Sequence, residues 1–157
     1  MNGHDLARRV VDHLREGEGP TRLFDLALEE AGEGHARVSM SVTAAMLNGV
    51  GCAHGGVIFT LADTAFAYAC NSRNIANVAQ QASIAFLNPA FEGERLVADA
   101  REVAVEGRTG VYGVTVTSAD GRVIASFNGL SRTLGRALVE PDAAPGPGLA
   151  RTVAAPS

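Results

Sequence analysis

The stretch from Asn48 to Ser72, NGVGCAHGGVIFTLADTAFAYACNS, decides the fold. A glycine-rich loop leads into an apolar segment with one carboxylate, Asp63, in its middle. Val57 to Cys70 contains neither Gly nor Pro and is rich in Ala, which favours a helix. His54-Gly55-Gly56 supplies a permissive, turn-like start. Val57, Ile58, Leu61, Ala65, Phe66 and Ala69 place apolar groups on nearly every face, and a helix apolar all round is a buried one. Thr60, Asp63 and Thr64 interrupt it, and it falls short of the roughly 20 apolar residues that span a bilayer. The arrangement that remains is a central helix wrapped by sheet. Between Arg37 and Arg73 the only formal charge is Asp63, so an enclosed element carries a group that resists enclosure.

The 157 residues suit one domain with a true core. Net charge of -4 and the lack of a basic stripe argue against general nucleic-acid binding. Two cysteines, Cys52 and Cys70, form neither a disulfide framework nor a metal-ligand pair, and no signal peptide or membrane span is visible. The expectation is a cytoplasmic protein with no metal and no membrane partner.

Outward from the central stretch, Leu6, Val10 and Leu14 mark an amphipathic N-terminal helix over His4–Arg15, ended by Gly17-Glu18-Gly19-Pro20. Two β-like segments, Leu23–Ala31 and His35–Val42, flank Gly32-Glu33-Gly34 as a hairpin. Strands are expected over Asn77–Phe86, Arg95–Val105, Thr109–Ser118 and Arg122–Leu134, in a meander, with Asp120-Gly121 marking the last hairpin. The fold class is α+β, an antiparallel sheet around one long helix. Residues 1–20 form the N-terminal helix and turn, 21–136 the main domain, and 137–157, rich in Ala, Pro and Gly, a disordered tail.

Asp63 has two readings, a structural or water-bridged aspartate, or a nucleophile or general base kept in a cleft. Gly55-Gly56 likewise either makes a tight turn or leaves first-turn N–H groups free to hold an anion or polarise a carbonyl. Eight residues separate Gly55 from Asp63, about 12 Å of helical rise, so one carbonyl group cannot touch both within a subunit. If the two act together, the site is shared across a two-fold homodimer interface. A dinucleotide fingerprint is excluded by the wrong glycine spacing, and nothing marks Cys52 or Cys70 as an activated thiol.

The run from Asn48-Gly49 through His54-Gly55-Gly56 to Leu61-Ala62-Asp63-Thr64 and Ala69-Cys70-Asn71-Ser72 resembles the hotdog-fold acyl-CoA thioesterases, in their phenylacetate-degradation (PaaI-type) branch. The resemblance extends from the first hairpin through Phe86-Leu87-Asn88-Pro89 to the last strand. It implies that Asp63 attacks the thioester carbonyl or activates water, and that the Gly55 backbone N–H polarises that carbonyl. It further implies that Asn48 and His54 orient the thioester and that Thr64 stands beside the acid. Acid and loop come from different subunits in that family, and a homotetramer of two dimers is implied. The substrate is then an aryl-acyl-CoA, with hydroxylated phenylacetyl-CoA first; no cofactor is needed, because coenzyme A is part of the substrate. Some relatives carry a water-orienting serine on the strand after the helix; here Ala79 falls at that position, with Ser83 displaced from it. Arg95, Arg101, Arg108, Arg122 and Arg132 are candidates for the CoA phosphates, and Tyr68, Phe66 and Phe86 for the acyl pocket. A hotdog enoyl-CoA hydratase or dehydratase and a non-catalytic acyl-CoA binding module are the rival readings.

Overall fold

A computed structural model describes residues 1–140. Helix α1 spans Gly3–Gly17, and the Asn2 side chain caps it by accepting from the Asp5 N–H at 2.9 Å. Its apolar stripe, Ala7, Val10 and Val11, is fully buried. A short helix α2, Gly19–Leu23, follows at once with Pro20 in its first turn, where a missing N–H costs nothing. This corrects the β-like segment expected from Leu23, because strand β1 begins only at Ala27 and ends at Gly32, while Asp25 turns the chain at φ +51°.

Strand β2 (His35–Ser41) pairs antiparallel with β1 across the expected glycine hairpin, with Gly34 at φ +66°. Helix α3 (Gly55–Asn71) comes next, then β3 (Asn77–Phe86), β4 (Arg95–Glu106), β5 (Thr109–Ser118) and β6 (Val123–Thr133). The six strands form one antiparallel sheet in the order β1-β2-β4-β5-β6-β3. The expected four-strand meander therefore holds only for β4-β5-β6. The chain between β3 and β4 does not turn back on itself but crosses the sheet. Leu87 N–H donates to the Ile124 carbonyl (2.8 Å) at one side, and Gly93 N–H donates to the Val42 carbonyl (2.8 Å) at the other. Midway, the Ala53 N–H donates to the Ala90 carbonyl at 2.8 Å, so the crossing also anchors the loop that starts α3.

The sheet curls around α3. Leu61, Ala62, Ala65, Phe66 and Ala69 are fully buried against Val38 and Met40 of β2, Leu96, Ala98 and Ala100 of β4, Val114 and Val116 of β5, and Ile124 and Phe127 of β6. Alanines on β4 let the helix lie close. Gly129 on β6 admits the Phe66 ring, since a Cβ there would sit 2.8 Å from it. Phe66 meets Tyr112 edge-on, with centroids 5.5 Å apart. One stripe of α3, through Thr60, Asp63 and Ala67, is only half-buried.

The expected tail over 137–157 lies outside the described residues from position 141 onward. Before that point, Leu138 and Val139 N–H groups donate to Asn74 Oδ1 at 3.0 and 2.9 Å, and Asn74 returns a bond to the Val139 carbonyl. Among the described residues no helix is long and apolar enough to cross a membrane.

Candidate active site

Two regions on α3 carry polar chemistry. The first is its N-terminal end. His54 is the N-cap, with extended backbone (φ −62°, ψ 136°), and its Nδ1 accepts from the Gly56 N–H at 3.0 Å. An accepting Nδ1 carries no proton, so the ring proton sits on Nε2. The His54 carbonyl takes the Val57 and Ile58 N–H groups, at 2.9 and 3.2 Å. Of the first-turn donors, the Gly55 N–H has no acceptor among the described residues. Phe86 crowds this glycine; a Cβ at 55 would stand 2.9 Å from its ring tip. The loop ahead of the helix is tied by Asn48, whose Oδ1 accepts from Val50 N–H (3.0 Å) and Cys52 N–H (3.2 Å). Asn48, Cys52, Gly55, Ile58, Phe86 and Asn88 line part of a cavity of about 370 Å³.

The second region lies two turns along. Asp63 is half-buried and has neither a hydrogen bond nor an ion pair among the described residues. Burial, and then the nearby Glu18 carboxylate, push its pKa upward, because both disfavour a second negative charge there. Glu18 is itself held in place. Its Oε2 accepts from Thr21 Oγ1 at 2.7 Å and from the Tyr68 hydroxyl in a short bond. Thr64 turns inward, 4% exposed, and its hydroxyl donates to the Thr60 carbonyl at 2.7 Å.

The sequence-derived set thus falls into two groups. Asn48, His54 and Gly55 come together at the helix start, while Asp63 and Thr64 stand apart from them. Glu18, Asn71 and Asn77 were not among the expected site residues. Asn71 and Asn77 lock the helix end to β3, through Asn77 N–H to Asn71 Oδ1 (2.7 Å) and Asn77 Nδ2 to the Cys70 carbonyl (2.9 Å). Asparagine spacing carries no signal for this, because the partners meet only after the chain turns.

Other candidates sort themselves by their partners. Phe66 and Tyr68 are both buried in the core, Tyr68 also edging a cavity, while the half-exposed Phe86 lines another. Cys70 is buried, and its thiol is pushed up to about 12 by burial and the Asp63 charge, which disfavours the thiolate. Ser83 lies between Ala82 and Ile84, both packed on the core, so strand alternation turns it to the outer face of the sheet. Arg95 is bound by Glu29 and Ser39, Arg101 by Asp99 at 2.9 Å, and Arg122 by Asp120 at 2.9 Å and by Glu94. Among the described residues Arg108 donates to the Thr133 carbonyl (3.3 Å), and neither it nor Arg132 has a carboxylate partner.

An antiparallel sheet wrapped around one buried helix, with polar groups at the helix start and middle, is the hotdog arrangement. Residues 50–125 match the family model described as the thioesterase superfamily. Acyl-coenzyme A thioesterase PaaI of Escherichia coli (strain K12) is 42% identical over 122 residues, covering 78% of this chain and 87% of the relative. The solved structure of the E. coli PaaI protein from the phenylacetic acid degradation operon superposes with a TM-score of 0.85 at 38% identity, covering 87% of this chain and 99% of that one. A Streptococcus mutans UA159 protein bound to acetyl CoA gives a TM-score of 0.69 at 31% identity, covering 71% and 90%. The chain belongs to the thioesterase superfamily and is a thioester hydrolase of the hotdog fold.

Proposed function

We propose that this protein is an acyl-CoA thioesterase acting on aryl-acyl-CoA, with hydroxylated phenylacetyl-CoA as the leading substrate. The observation that carries the reading is Asp63, a half-buried carboxylate with no partner among the described residues, on the open stripe of α3. A carboxylate so placed is costly to the fold and gives nothing back to it, which supports a role in chemistry. It delivers an electron pair to the thioester carbonyl carbon, directly or through a water it deprotonates. The Gly55 N–H, free at the positive end of the helix, stabilises the oxyanion, and the CoA thiolate leaves. Products are a free carboxylic acid and coenzyme A, with one water consumed and no cofactor. Asn48 shapes the loop, the His54 Nε2–H donates toward the bound thioester, and Thr64 fixes the helix turn under the acid.

The spacing of Gly55 and Asp63 supports a homodimer in which each site takes the acid from one copy and the helix start from the other. Strand β3 supplies the joining surface. It is an edge strand that exposes Val78 (47%) and Phe86 (52%), with Leu87 (57%) just beyond, the kind of edge a soluble chain leaves bare only when it is paired. Two such dimers give the tetramer. Arg108 and Arg132, the two candidate cations without carboxylates, suit the CoA phosphates, and Arg108 lines a cavity of about 130 Å³ at the β4–β5 turn.

The test is steady-state release of free thiol from a panel of aryl and aliphatic acyl-CoA thioesters, with Asp63→Asn alongside. Hydroxyphenylacetyl-CoA is expected to give the highest kcat/KM, and Asp63→Asn to lower kcat by about 10³-fold. Wild-type turnover in the variant contradicts the role of Asp63.

A further inference from the structure

Asp63, Ala67 and Asn71 follow one another at four-residue steps, so they share one face of α3. Beyond Asp63 in the C-terminal direction, that face opens into a cavity of about 730 Å³ whose lining includes His13, Glu16, Glu18, Ala67, Tyr68 and Asn71. The cavity at Gly55, in the other direction, holds about half that volume, 370 Å³. An acyl group whose carbonyl carbon lies at Asp63 therefore finds its room on the α1 side. The wall there is built by the α1–α2 junction, the segment that carries Glu18.

Glu18 is fixed rather than trailing in solvent. Thr21 and Tyr68 both donate to its Oε2, and their own oxygens lie 3.0 Å apart, while its Oε1 makes no hydrogen bond among the described residues. Among the described residues no arginine or lysine lines the cavity, and His13 is its one basic residue. Arg15 lies behind the lining: one guanidinium nitrogen donates to the Leu26 carbonyl (3.3 Å), the other terminal nitrogen is buried without a partner, and its charge reaches Tyr68. The lining thus carries two carboxylates, Glu16 and Glu18, with Asp63 one turn from its floor.

We propose that Glu18 sets the charge selectivity of the acyl pocket, admitting neutral acyl groups and rejecting acyl groups that end in a carboxylate. The inference rests on the thioesterase reading of Asp63. A dicarboxylyl thioester would bring a third negative charge between Glu18 and Asp63, into a lining that among the described residues offers it no arginine or lysine. The upward push that Glu18 exerts on the Asp63 pKa is the same repulsion acting between the two resident carboxylates. Like charges held in a partly desolvated site are expected to lower kcat/KM for such a thioester by about a hundredfold against a neutral one of equal length.

The experiment compares hexanoyl-CoA with glutaryl-CoA, which match in length and differ in terminal charge. It uses the wild-type oligomer, Glu18→Gln and Glu16→Gln. Glutamine keeps an acceptor for Tyr68 and Thr21, and a thermal melt checks that it folds. The wild type is expected to favour hexanoyl-CoA by about a hundredfold in kcat/KM, Glu18→Gln to shrink that ratio at least tenfold by raising the glutaryl value, and Glu16→Gln, which removes the lining carboxylate not held by Thr21 and Tyr68, to shrink it less than Glu18→Gln does. A wild type that hydrolyses both equally, or a ratio that Glu18→Gln leaves unchanged, overturns the proposal. If neither thioester is turned over, hydrolysis of hydroxyphenylacetyl-CoA decides the thioesterase reading separately, and affinities for the same pair by calorimetry still decide the pocket. Tighter hexanoyl-CoA binding, with the gap closing in Glu18→Gln, upholds charge selection; equal affinities overturn it.

Discussion

The two ends of α3 solve opposite problems. At its N-terminal end most polar groups are tied: His54 caps Gly56, Asn48 ties the loop, and the Ala53–Ala90 bond fastens both to the sheet crossing. What is left over among the described residues is donors, the Gly55 N–H and the His54 Nε2–H. In the middle of the helix the leftover is a single acceptor, the Asp63 carboxylate, in a setting that favours its neutral form. One end is a rigid, electropositive half-site and the other an electronegative one, about 12 Å apart. Neither end holds both groups, and their complementarity supports the proposed pairing of the helix with a second copy.

At the helix start, the largest effect is expected from removing the donor without disturbing the helix. Proline is favoured at the first helical position, and the extended backbone of His54 suits a residue before proline, so Gly55→Pro deletes only the N–H and pushes the exposed Phe86 ring aside. It should cost about 10²–10³-fold in kcat with little change in melting temperature, measured by thiol release and calorimetry. Unchanged kcat would break the contrast by showing that the donor is idle.

A smaller effect is expected at the cap. His54→Ala leaves the Gly56 N–H unsatisfied and should destabilise the protein by about 1 kcal/mol, seen as a lower denaturant midpoint. The loss in kcat should stay below that of Gly55→Pro, since the donor itself survives.

The smallest effect concerns stability and pH. The Asp63 carboxyl holds its proton more tightly folded than unfolded, so its stabilising contribution is full below the ordinary aspartate value of 3.8 and is lost as pH rises through the raised folded value. At neutral pH the ionised group weakens the fold. Asp63→Asn should therefore melt higher than wild type at pH 8, with the gap closing on acidification toward 3.8. A variant that melts lower at pH 8 would mean that the carboxylate has a stabilising partner in the assembled protein. For the same reason, the acid limb of the kcat/KM profile should lie above 3.8.

Much of this architecture was legible in the residues. The Ala-rich run free of Gly and Pro fixes α3, alternation and Asp120-Gly121 fix the strands, and the lone charge between Arg37 and Arg73 singles out Asp63. The partner of β3 was not legible, because strand pairing depends on where the crossing chain is anchored, and those bonds to Ile124 and Val42 have no local signature. Helix α2 is too short to show a period, and Pro20 reads equally as a stop or as a first helical residue. Glu18 was hidden for the same reason. Within Gly17-Glu18-Gly19-Pro20 it looks like turn punctuation, and its bond to Tyr68 joins residues 50 positions apart.

The shared site is tested most directly by subunit complementation. Gly55→Pro and Asp63→Asn proteins, each inactive alone, are mixed in equal amounts, unfolded and refolded together, and assayed for thiol release. With random pairing, half of the dimers are mixed, and each of those has one site with both an intact donor and an intact acid, so activity should return to about a quarter of wild type. A mixture no more active than its components, with mixed dimers present, would contradict a site built from two copies.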